Sequence, residues 1–254
     1  MVDYDIGKVL YESEGHKVVW LGWDEKESGG AVQTNQYLII HNGKGVLVDP
    51  GGVHLFSRVV AVISNYINLD NIESIFFSHQ DPDVSSGIAL WLGITKADIY
   101  ISELWIRFMP HFGIIDEKRM KPIPDKGRMI PYTSGKELEA IPAHFLHSPG
   151  NFAIYDPLSE YLFSSDIGAA VFETDKYLFV EDFQAHLKIM EGFHKRYMTS
   201  NTACRKFVQV LRKKNISAIA PQHGALFSED HVDEFLRWFE SLKCGVDILD
   251  QIEA

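Results

Sequence analysis

Four apolar segments of the chain each lead directly into a histidine or an aspartate, and this pattern restricts the fold more than any other feature. The segments are residues 72–77, 137–145, 161–163 and 216–220. Short apolar runs of this kind predict strands that are buried on both faces. Because side chains at the ends of neighbouring strands meet at one edge of a sheet, a polar cleft is expected at that edge.

Apolar periodicity extends this prediction along the chain. Strands are predicted at 17–23, 37–40, 46–48, 72–77, 98–101, 129–132, 137–145, 152–155, 161–163 and 216–220. Helices are predicted at 55–67, 84–92, 104–109, 184–213 and 230–249. With strands first and helices after them in each half, the pattern favours a four-layer αββα sandwich that forms one domain, residues 1–254. A doubly wound α/β sheet is the alternative.

Charge and composition exclude several classes of partner. The formal net charge of −11 argues against nucleic acid, because binding to phosphates requires clustered lysines and arginines. No apolar run approaches the ~20 residues of a membrane-spanning helix, and the N-terminus lacks a secretory signal pattern. Cys204 and Cys244 form neither a CxxC motif nor a disulfide framework. These features predict a soluble cytoplasmic protein with no membrane partner.

The segment Ser78-His79-Gln80-Asp81-Pro82-Asp83 is the strongest local candidate for a functional site. It places one imidazole and two carboxylates close together, and these are donors that hard and borderline divalent metals prefer. The alternative is that Asp83 caps a helix that begins near Val84. Three further strand ends carry polar residues: His147, Asp166 and His223. Together the four segments favour a metal site.

The order HxDxD, H, D and H, with PxHG at the last histidine, resembles the metallo-β-lactamase superfamily. Within it the chain is most similar to the metal-binding domain of flavodiiron proteins. The stretches LHSPGN, LFSSD and APQHG stand where that family has its third histidine, its bridging aspartate and its last histidine. The resemblance runs from Asp49 to the C-terminal helix. It implies a metallo-β-lactamase-like αββα sandwich with two metals at its edge.

The resemblance also implies a ligand set. One metal is bound by His79, Asp81 and His147, the other by Asp83 and His223, and Asp166 bridges the two. Asp81 stands where flavodiiron proteins have Glu and where zinc hydrolases have His, and a carboxylate there favours iron or manganese over zinc. The implied cofactor is a pair of iron ions with a bridging hydroxide or oxo group.

Two departures from the flavodiiron pattern affect the expected chemistry. Val84 stands where the family has a histidine, so the second metal lacks one ligand; His111 is the candidate substitute and His54 the second choice. His144 is expected to pack against the site or to support His147. The chain also shows no flavodoxin-like FMN domain. In that respect it resembles the oxygen-binding di-iron proteins associated with oxygen sensing.

Three functions follow from the resemblance. The first is an oxygen-binding di-iron protein that senses or carries O2. The second is a reductase of O2 or NO that takes electrons from a separate protein, and the third is a dinuclear metal hydrolase. Only the last two would make the protein an enzyme. The expected partners are O2 or NO, an electron-transfer or signalling protein, and a second copy of the chain.

Overall fold

The computed structural model describes residues 7–23, 32–113, 116–132, 135–172 and 176–252. In these residues two β-sheets lie face to face, and helices cover the outer face of each sheet. The αββα sandwich expected from the sequence is therefore confirmed, and the doubly wound single sheet is wrong. The single-domain organisation over residues 1–254 stays a prediction.

The first sheet contains seven described strands in the order β1-β2-β3-β4-β5-β6-β7. Their bounds are Lys8–Ser13, His16–Trp20, Tyr37–His41, Lys44–Val48, Ile72–Phe76, Asp98–Ser102 and Met120–Ile123. Strands β1 to β4 pair antiparallel, whereas β4 to β7 pair parallel. Asn42 and Gly43 close the β3–β4 hairpin with φ of 48° and 77°, as the predicted Asn-Gly turn requires.

The second sheet contains six described strands in the order β13-β12-β11-β10-β9-β8. From β8 to β13 the bounds are Arg128–Pro131, Glu137–Pro142, Phe152–Asp156, Tyr161–Phe163, Ala218–Ala220 and Phe227–Ser228. The pair β11–β12 is parallel and the other pairs are antiparallel. The described helices α1 to α8 are Phe56–Ile63, Pro82–Ser85, Ile88–Ile94, Glu103–Ile106, Phe183–Tyr197, Asn201–Leu211, Glu229–Ser241 and Leu249–Ile252.

Alternation of side chains along the strands sorts the apolar residues into layers. On β2, Val18 and Trp20 point into the core between the sheets, while Val19 packs under the helices of the first sheet. On β10, Phe152 and Ile154 point into the same inner core. Each large apolar side chain buried in this way stabilises the fold by roughly 1.5–3 kcal/mol. The inner core therefore holds the two sheets in a fixed relation.

Strands β4, β5, β11 and β12 end at one edge of the sandwich, and the antiparallel strand β10 begins there. The Phe152 N–H donates a hydrogen bond to the Ser78 carbonyl oxygen at 3.0 Å, and this bond joins the two sheets. Loops from both sheets therefore meet at this edge. Among the described helices, none has the length and apolar character that a membrane crossing requires.

Candidate metal centre

Loops at this edge bring together the six residues singled out in the sequence. His79, Asp81 and Asp83 follow β5, Asp166 follows β11, His223 follows β12, and His147 precedes β10. His147 and Ser165, the residue before Asp166, have positive φ of 70° and 57°. Left-handed backbone of this kind costs about 1–2 kcal/mol in a residue with a Cβ. The surrounding packing therefore holds two of the loops in strained conformations.

The first group consists of His79, Asp81 and His147. Each offers one ligand atom, and the three atoms lie within 4.8 Å of one another. His147 Nε2 is 2.9 Å from Asp81 Oδ2, and His79 Nε2 is 3.7 Å from the same oxygen. The two imidazole rings have centroids 5.1 Å apart. The residues that the resemblance assigns to the first metal thus converge on one point.

The second group consists of Asp83 and His223, with Asp166 between the two groups. His223 Nε2 is 3.4 Å from Asp83 Oδ2. Asp166 Oδ1 is 4.0 Å from His79 Nε2 and 3.6 Å from His223 Nε2. Asp166 Oδ2 is 3.6 Å from His147 Nε2. One carboxylate therefore faces all three imidazoles, which is the position expected of a bridging ligand.

Hydrogen bonds orient two of the imidazoles. His79 Nδ1 is 2.9 Å from Ser78 Oγ and 3.2 Å from Ser165 Oγ. His223 Nδ1 donates to the Gln33 carbonyl oxygen at 2.7 Å. Metal-binding histidines in proteins are commonly fixed by a hydrogen bond at the second ring nitrogen. In both residues this arrangement leaves Nε2 facing the carboxylates.

The three carboxylates give the cleft a negative potential. Burial by itself lowers the pKa of His79, but Asp166 and Asp81 outweigh burial and raise that pKa to about 9. Burial raises the pKa of Asp83, and His223 opposes this rise. In the ion-free protein a proton on His79 therefore offsets part of the negative charge. A divalent cation would displace that proton, because metal ligands bind in their deprotonated forms.

The donor atoms fit a pair of divalent cations. Asp166 Oδ1 is buried and accepts no hydrogen bond from the residues that the structure describes, although buried acceptors are normally satisfied. A cation beside it would supply the missing partner. Three imidazoles and three carboxylates suit iron or manganese, and three negative charges offset most of the charge of two divalent ions.

The alternative role of Asp83 as a helix cap is wrong. Asp81 occupies the N-cap position of α2, and its side chain makes no capping hydrogen bond. Asp83 lies in the first turn, directly after Pro82. The carboxylates of Asp81 and Asp83 instead face His147 and His223. Both acidic side chains are therefore available to the cleft.

Val84 is fully buried in the outer core of the first sheet, so its side chain does not enter the cleft. His111 is exposed and lines a separate cavity of about 320 Å³ together with Gln80 and Trp105. The described residues that line the cleft include five of the six candidates, all but His79, and no further imidazole, carboxylate or thiol. The role of His111 as a metal ligand stays a prediction.

His54 and His144 lie at the margins of the site. The exposed ring of His54 lies against Gly52, in the loop after β4. The ring of His144 packs edge-on against Phe152 with centroids 5.1 Å apart, and its Nε2 is 2.7 Å from the Asp125 carbonyl oxygen. These contacts agree with the packing role expected for His144.

Five of the six residues line a cavity of about 530 Å³: Asp81, Asp83, His147, Asp166 and His223. Phe193 and Tyr197 on α5 form part of its wall, with their rings stacked 4.7 Å apart. The Tyr197 ring lies 5.5 Å from that of His147. Carboxylates, aromatic rings and the Arg196 side chain thus all line the cleft, which has room for a small exogenous molecule.

Two supporting residues carry no signal in the sequence. Asn35 is fully buried, and its side chain bonds to both flanks of His223, at the Pro221 and Gly224 carbonyl oxygens, each at 2.9 Å. His194 on α5 accepts a hydrogen bond at 2.9 Å from the N–H of Gly168, which lies two residues after Asp166. Neither residue belongs to a motif or ends a strand. Only the folded chain brings them to the site.

Because His194 must stay neutral, we expect its replacement to have a pH-dependent effect. Its Nδ1 donates to the Met190 carbonyl oxygen at 2.9 Å, so Nε2 must accept from Gly168. Burial lowers the pKa of His194 to about 4, against ~6.5 in an unfolded chain. Between these two values the unfolded chain binds a proton that the folded protein does not. The stability that a neutral His194 provides is therefore lost as the pH falls through this window.

The test compares His194→Gln with the wild type in the metal-free state. Relative to the wild type, the variant should lose about 2 kcal/mol more unfolding free energy at about pH 8 than at about pH 5. Urea titration at both pH values measures this difference. His231→Gln, at a half-buried position on α7, serves as the control and should show no such trend. Equal losses for His194→Gln at both pH values would contradict the expectation.

Comparison with known proteins identifies a family and several curated relatives. The model described as "ODP family beta lactamase" matches residues 32–224. The chain is 26% identical over 212 residues to a putative diflavin flavoprotein A 2 of Nostoc sp.. It is 25% identical over 243 residues to an anaerobic nitric oxide reductase flavorubredoxin of Aeromonas hydrophila. These alignments cover 82% and 89% of this chain but only 35% and 48% of the relatives.

Solved structures give a more similar match. A structure described as the peroxy di-iron species of the chemotaxis sensor ODP is 57% identical, with a TM-score of 0.88, and the match covers 97% of this chain and 99% of that one. The apo state of the chemotaxis sensor ODP from T. denticola matches with the same identity and TM-score. A flavo di-iron protein mutant from Thermotoga maritima is 21% identical, with a TM-score of 0.74, over 92% of this chain and 61% of that one. The last match shows a shared fold.

Proposed function

The chain belongs to the family described as ODP family beta lactamase, and from this we propose that it binds or senses O2 at a non-haem di-iron site. The proposed ligands are His79, Asp81, Asp83, His147, Asp166 and His223. The observation that carries the proposal is the position of Asp166, whose carboxylate lies within 4.0 Å of three imidazoles from two groups. The 57% identity to a chemotaxis sensor solved as a di-iron species supports iron as the metal.

Each group of residues has a separate task in this proposal. His79, Asp81 and His147 would hold one iron, and Asp83 with His223 the other. Two ferrous ions, when bound, supply the electrons for capture of O2. Asp166 would join the ions and hold them in a fixed relation.

The supporting residues fix the protonation of the proposed ligands. Because the Gln33 carbonyl oxygen accepts from His223 Nδ1, the proton stays on that nitrogen and Nε2 keeps its lone pair. The hydroxyls of Ser78 and Ser165 lie within hydrogen-bond distance of His79 Nδ1 and orient that ring. A ligand whose tautomer is already fixed needs no rearrangement when a metal enters.

Val84 explains why an exogenous molecule would bind on the second metal. Its side chain is apolar and packs away from the cleft, so a metal held by Asp83, Asp166 and His223 would keep room for an exogenous ligand. The cavity above the site gives a small molecule access to that metal. O2 is the proposed occupant, and NO would fit the same space. A signalling or electron-transfer protein and a second copy of the chain are proposed as further partners.

The decisive experiment is anaerobic purification, metal analysis and titration of the reduced protein with O2. We expect about two iron atoms per chain, as in other two-metal sites, and a single stoichiometric absorbance change on admitting O2. Two tightly bound zinc ions from an iron-replete host would contradict the proposal and favour the hydrolase. Rapid repeated O2 or NO consumption with a flavin reductase and rubredoxin would favour the reductase instead. A reduced di-iron protein that never reacts with O2 would exclude both oxygen functions.

A matched pair of variants tests the ligand set within the same experiment. His223→Gln should lose one iron per chain, because Asp83 would be left without its imidazole partner. His111→Gln should retain both, since His111 lines a different cavity. Loss of iron from the His111 variant would show that this loop supplies the ligand that Val84 does not.

A further inference from the structure

A second group of polar side chains lies between the sheets at the end of the sandwich opposite the candidate metal centre. His16 begins β2 and His41 ends β3, and the two residues are direct partners across that antiparallel pair. Tyr132 follows β8 on the facing sheet. All three side chains are buried, with no more than 7% exposed. We name these three residues the far-end cluster.

The far-end cluster contains three buried polar atoms without a partner. His16 Nδ1, His41 Nδ1 and Tyr132 Oη make no hydrogen bond to the part of the chain that the structure describes. Buried polar atoms normally have a partner, and an unsatisfied one costs about 1–3 kcal/mol. Three such atoms on neighbouring side chains are therefore open to a partner that the described residues do not supply.

His16 is held in the orientation of a metal ligand. Its Nε2 is 2.7 Å from Asp156 Oδ2, and Asp156 is itself fixed by the Ser159 hydroxyl and by the Leu158 N–H. Because a carboxylate accepts hydrogen bonds, a proton on His16 Nε2 points at Asp156, and in the neutral ring Nδ1 holds the lone pair. A carboxylate behind an imidazole is a common support for histidines that bind metals.

His41 has a comparable arrangement. Its Nε2 is 3.2 Å from the amide nitrogen of Asn42, so Nδ1 is the free atom. Burial lowers the pKa of His41, and His16 and Lys136 add to this effect, which favours the neutral form that binds metals. A cation at Nδ1 would move the ring proton to Nε2. The Asn42 amide, turned by half a rotation, would then accept it through Oδ1.

The spacing of the rings suits one shared cation. The ring centroids of His16 and His41 are 5.4 Å apart, and those of His41 and Tyr132 are 5.8 Å apart. Two imidazoles that bind one tetrahedral cation at ~2.1 Å have ring centres roughly 5 Å apart. The pair proposed for the first iron, His79 and His147, has centroids at 5.1 Å. The far-end pair therefore has nearly the same spacing.

We propose that His16, His41 and Tyr132 bind one borderline divalent cation of the zinc type, at a site separate from the di-iron centre. Two imidazoles are donors that suit this class of metal, and the Tyr132 oxygen would join them as a third donor after losing its proton. Negative charge nearby also favours a cation. Burial and the carboxylates of Asp156 and Glu73 hold the pKa of Tyr132 well above its usual value, so the hydroxyl would release its proton to solvent only when a cation binds. A cation here would tie β2 and β3 of one sheet to the β8 end of the other.

The test uses the iron-loaded protein, so that the di-iron site is already filled. Co²⁺ serves as a spectroscopic substitute for Zn²⁺; after gel filtration, bound iron and cobalt are counted and the visible spectrum is recorded. We expect one cobalt per chain in addition to the iron, with the absorption of a four-coordinate site. His16→Gln and His41→Gln should each weaken cobalt binding about tenfold or more. His144→Gln and His231→Gln are matched controls and should bind cobalt normally.

Tyr132→Phe gives a second test, because it removes only the hydroxyl and keeps the ring in the core. It should weaken cobalt binding and reduce the rise in Tm that Zn²⁺ causes in the wild type. Wild-type protein that takes up no cobalt would mean that water fills the far-end cluster, and the proposal would be wrong. Cobalt that displaces iron instead of adding to it, or uptake that survives in both histidine variants, would overturn it equally. None of these outcomes depends on whether the di-iron site binds O2.

Discussion

Asp166→Ala should leave the protein with less than one metal ion per chain. The Asp166 carboxylate faces His79, His147 and His223, and no other described side chain contacts imidazoles of both groups. Its loss removes a donor from each metal and one of the three negative charges that offset the cations. The two metals then face one another without a protein bridge. Removal of a ligand shared by both ions should therefore affect both.

Metal analysis after anaerobic reconstitution measures this effect. His223→Ala is the matched comparison, because among the proposed ligands His223 contacts only Asp83 and Asp166; that variant should keep the first metal. Circular dichroism checks that both variants fold. If Asp166→Ala binds two metals with unchanged affinity, the bridging role is wrong at this position.

Asn35→Ala should destabilise the protein by about 3 kcal/mol, a large effect for one polar side chain. Asn35 Oδ1 accepts from the indole N–H groups of Trp20 and Trp23 at 2.9 and 2.5 Å. Its amide donates to the carbonyl oxygens of Pro221 and Gly224. Alanine would remove these four hydrogen bonds from buried groups, of which the Pro221 carbonyl oxygen would still accept from the Tyr37 hydroxyl. Each such group carries a desolvation penalty, and the penalties of a connected network tend to exceed the sum of its single bonds.

The same substitution should weaken the second metal, because Asn35 holds both flanks of the turn that carries His223. Urea unfolding of the metal-free protein gives the change in stability, and metal titration gives the change in affinity. Asn65→Ala, at an exposed position in the turn after α1, is the matched control and should cost less than about 0.5 kcal/mol. A similarly small loss for Asn35→Ala would show that water replaces the network.

The candidate site could be predicted from the sequence because its residues directly follow strands that the apolar pattern identifies. Residues 72–77 predict a buried strand, and β5 occupies 72–76. His79 and Asp81 then lie at the strand's end whatever the rest of the chain does. The order of such strand ends along the chain was enough for the resemblance, and the matches to the ODP family and its solved structures confirm it.

Helix boundaries were harder to predict, because contacts distant in the sequence decide them. The region 184–213 was predicted as one helical stretch, yet α5 ends at Tyr197 and α6 begins at Asn201. Met198 pairs with Leu146, and the Thr199 N–H donates to the Phe145 carbonyl oxygen at 3.1 Å. Ser200 then caps α6 through Ala203. Only the last contact is local, so periodicity alone could not reveal the break.

The edge strands β1 and β7 could not be predicted from the sequence for a different reason. β1 and β7 lie at the two edges of the first sheet, and β1 is largely exposed, with none of its residues buried. A strand that buries little apolar surface leaves little apolar pattern to detect. The supporting residues Asn35 and His194 also leave no local pattern in the sequence, because their partners lie far away along the chain.

The cleft between the two sheets has a consequence for the order of assembly. His79 and Asp81 belong to the first sheet and His147 to the second, while Asp83 belongs to the first and His223 to the second. Neither proposed metal therefore has a complete ligand group within one half of the chain. During synthesis, the chain between Asp83 and His223 must first fold so that these two residues meet. The conformational entropy lost in this step is lost before a metal can bind. Metal loading should consequently be the last step of maturation, after the two halves have packed together. Each ion would then cross-link the two sheets.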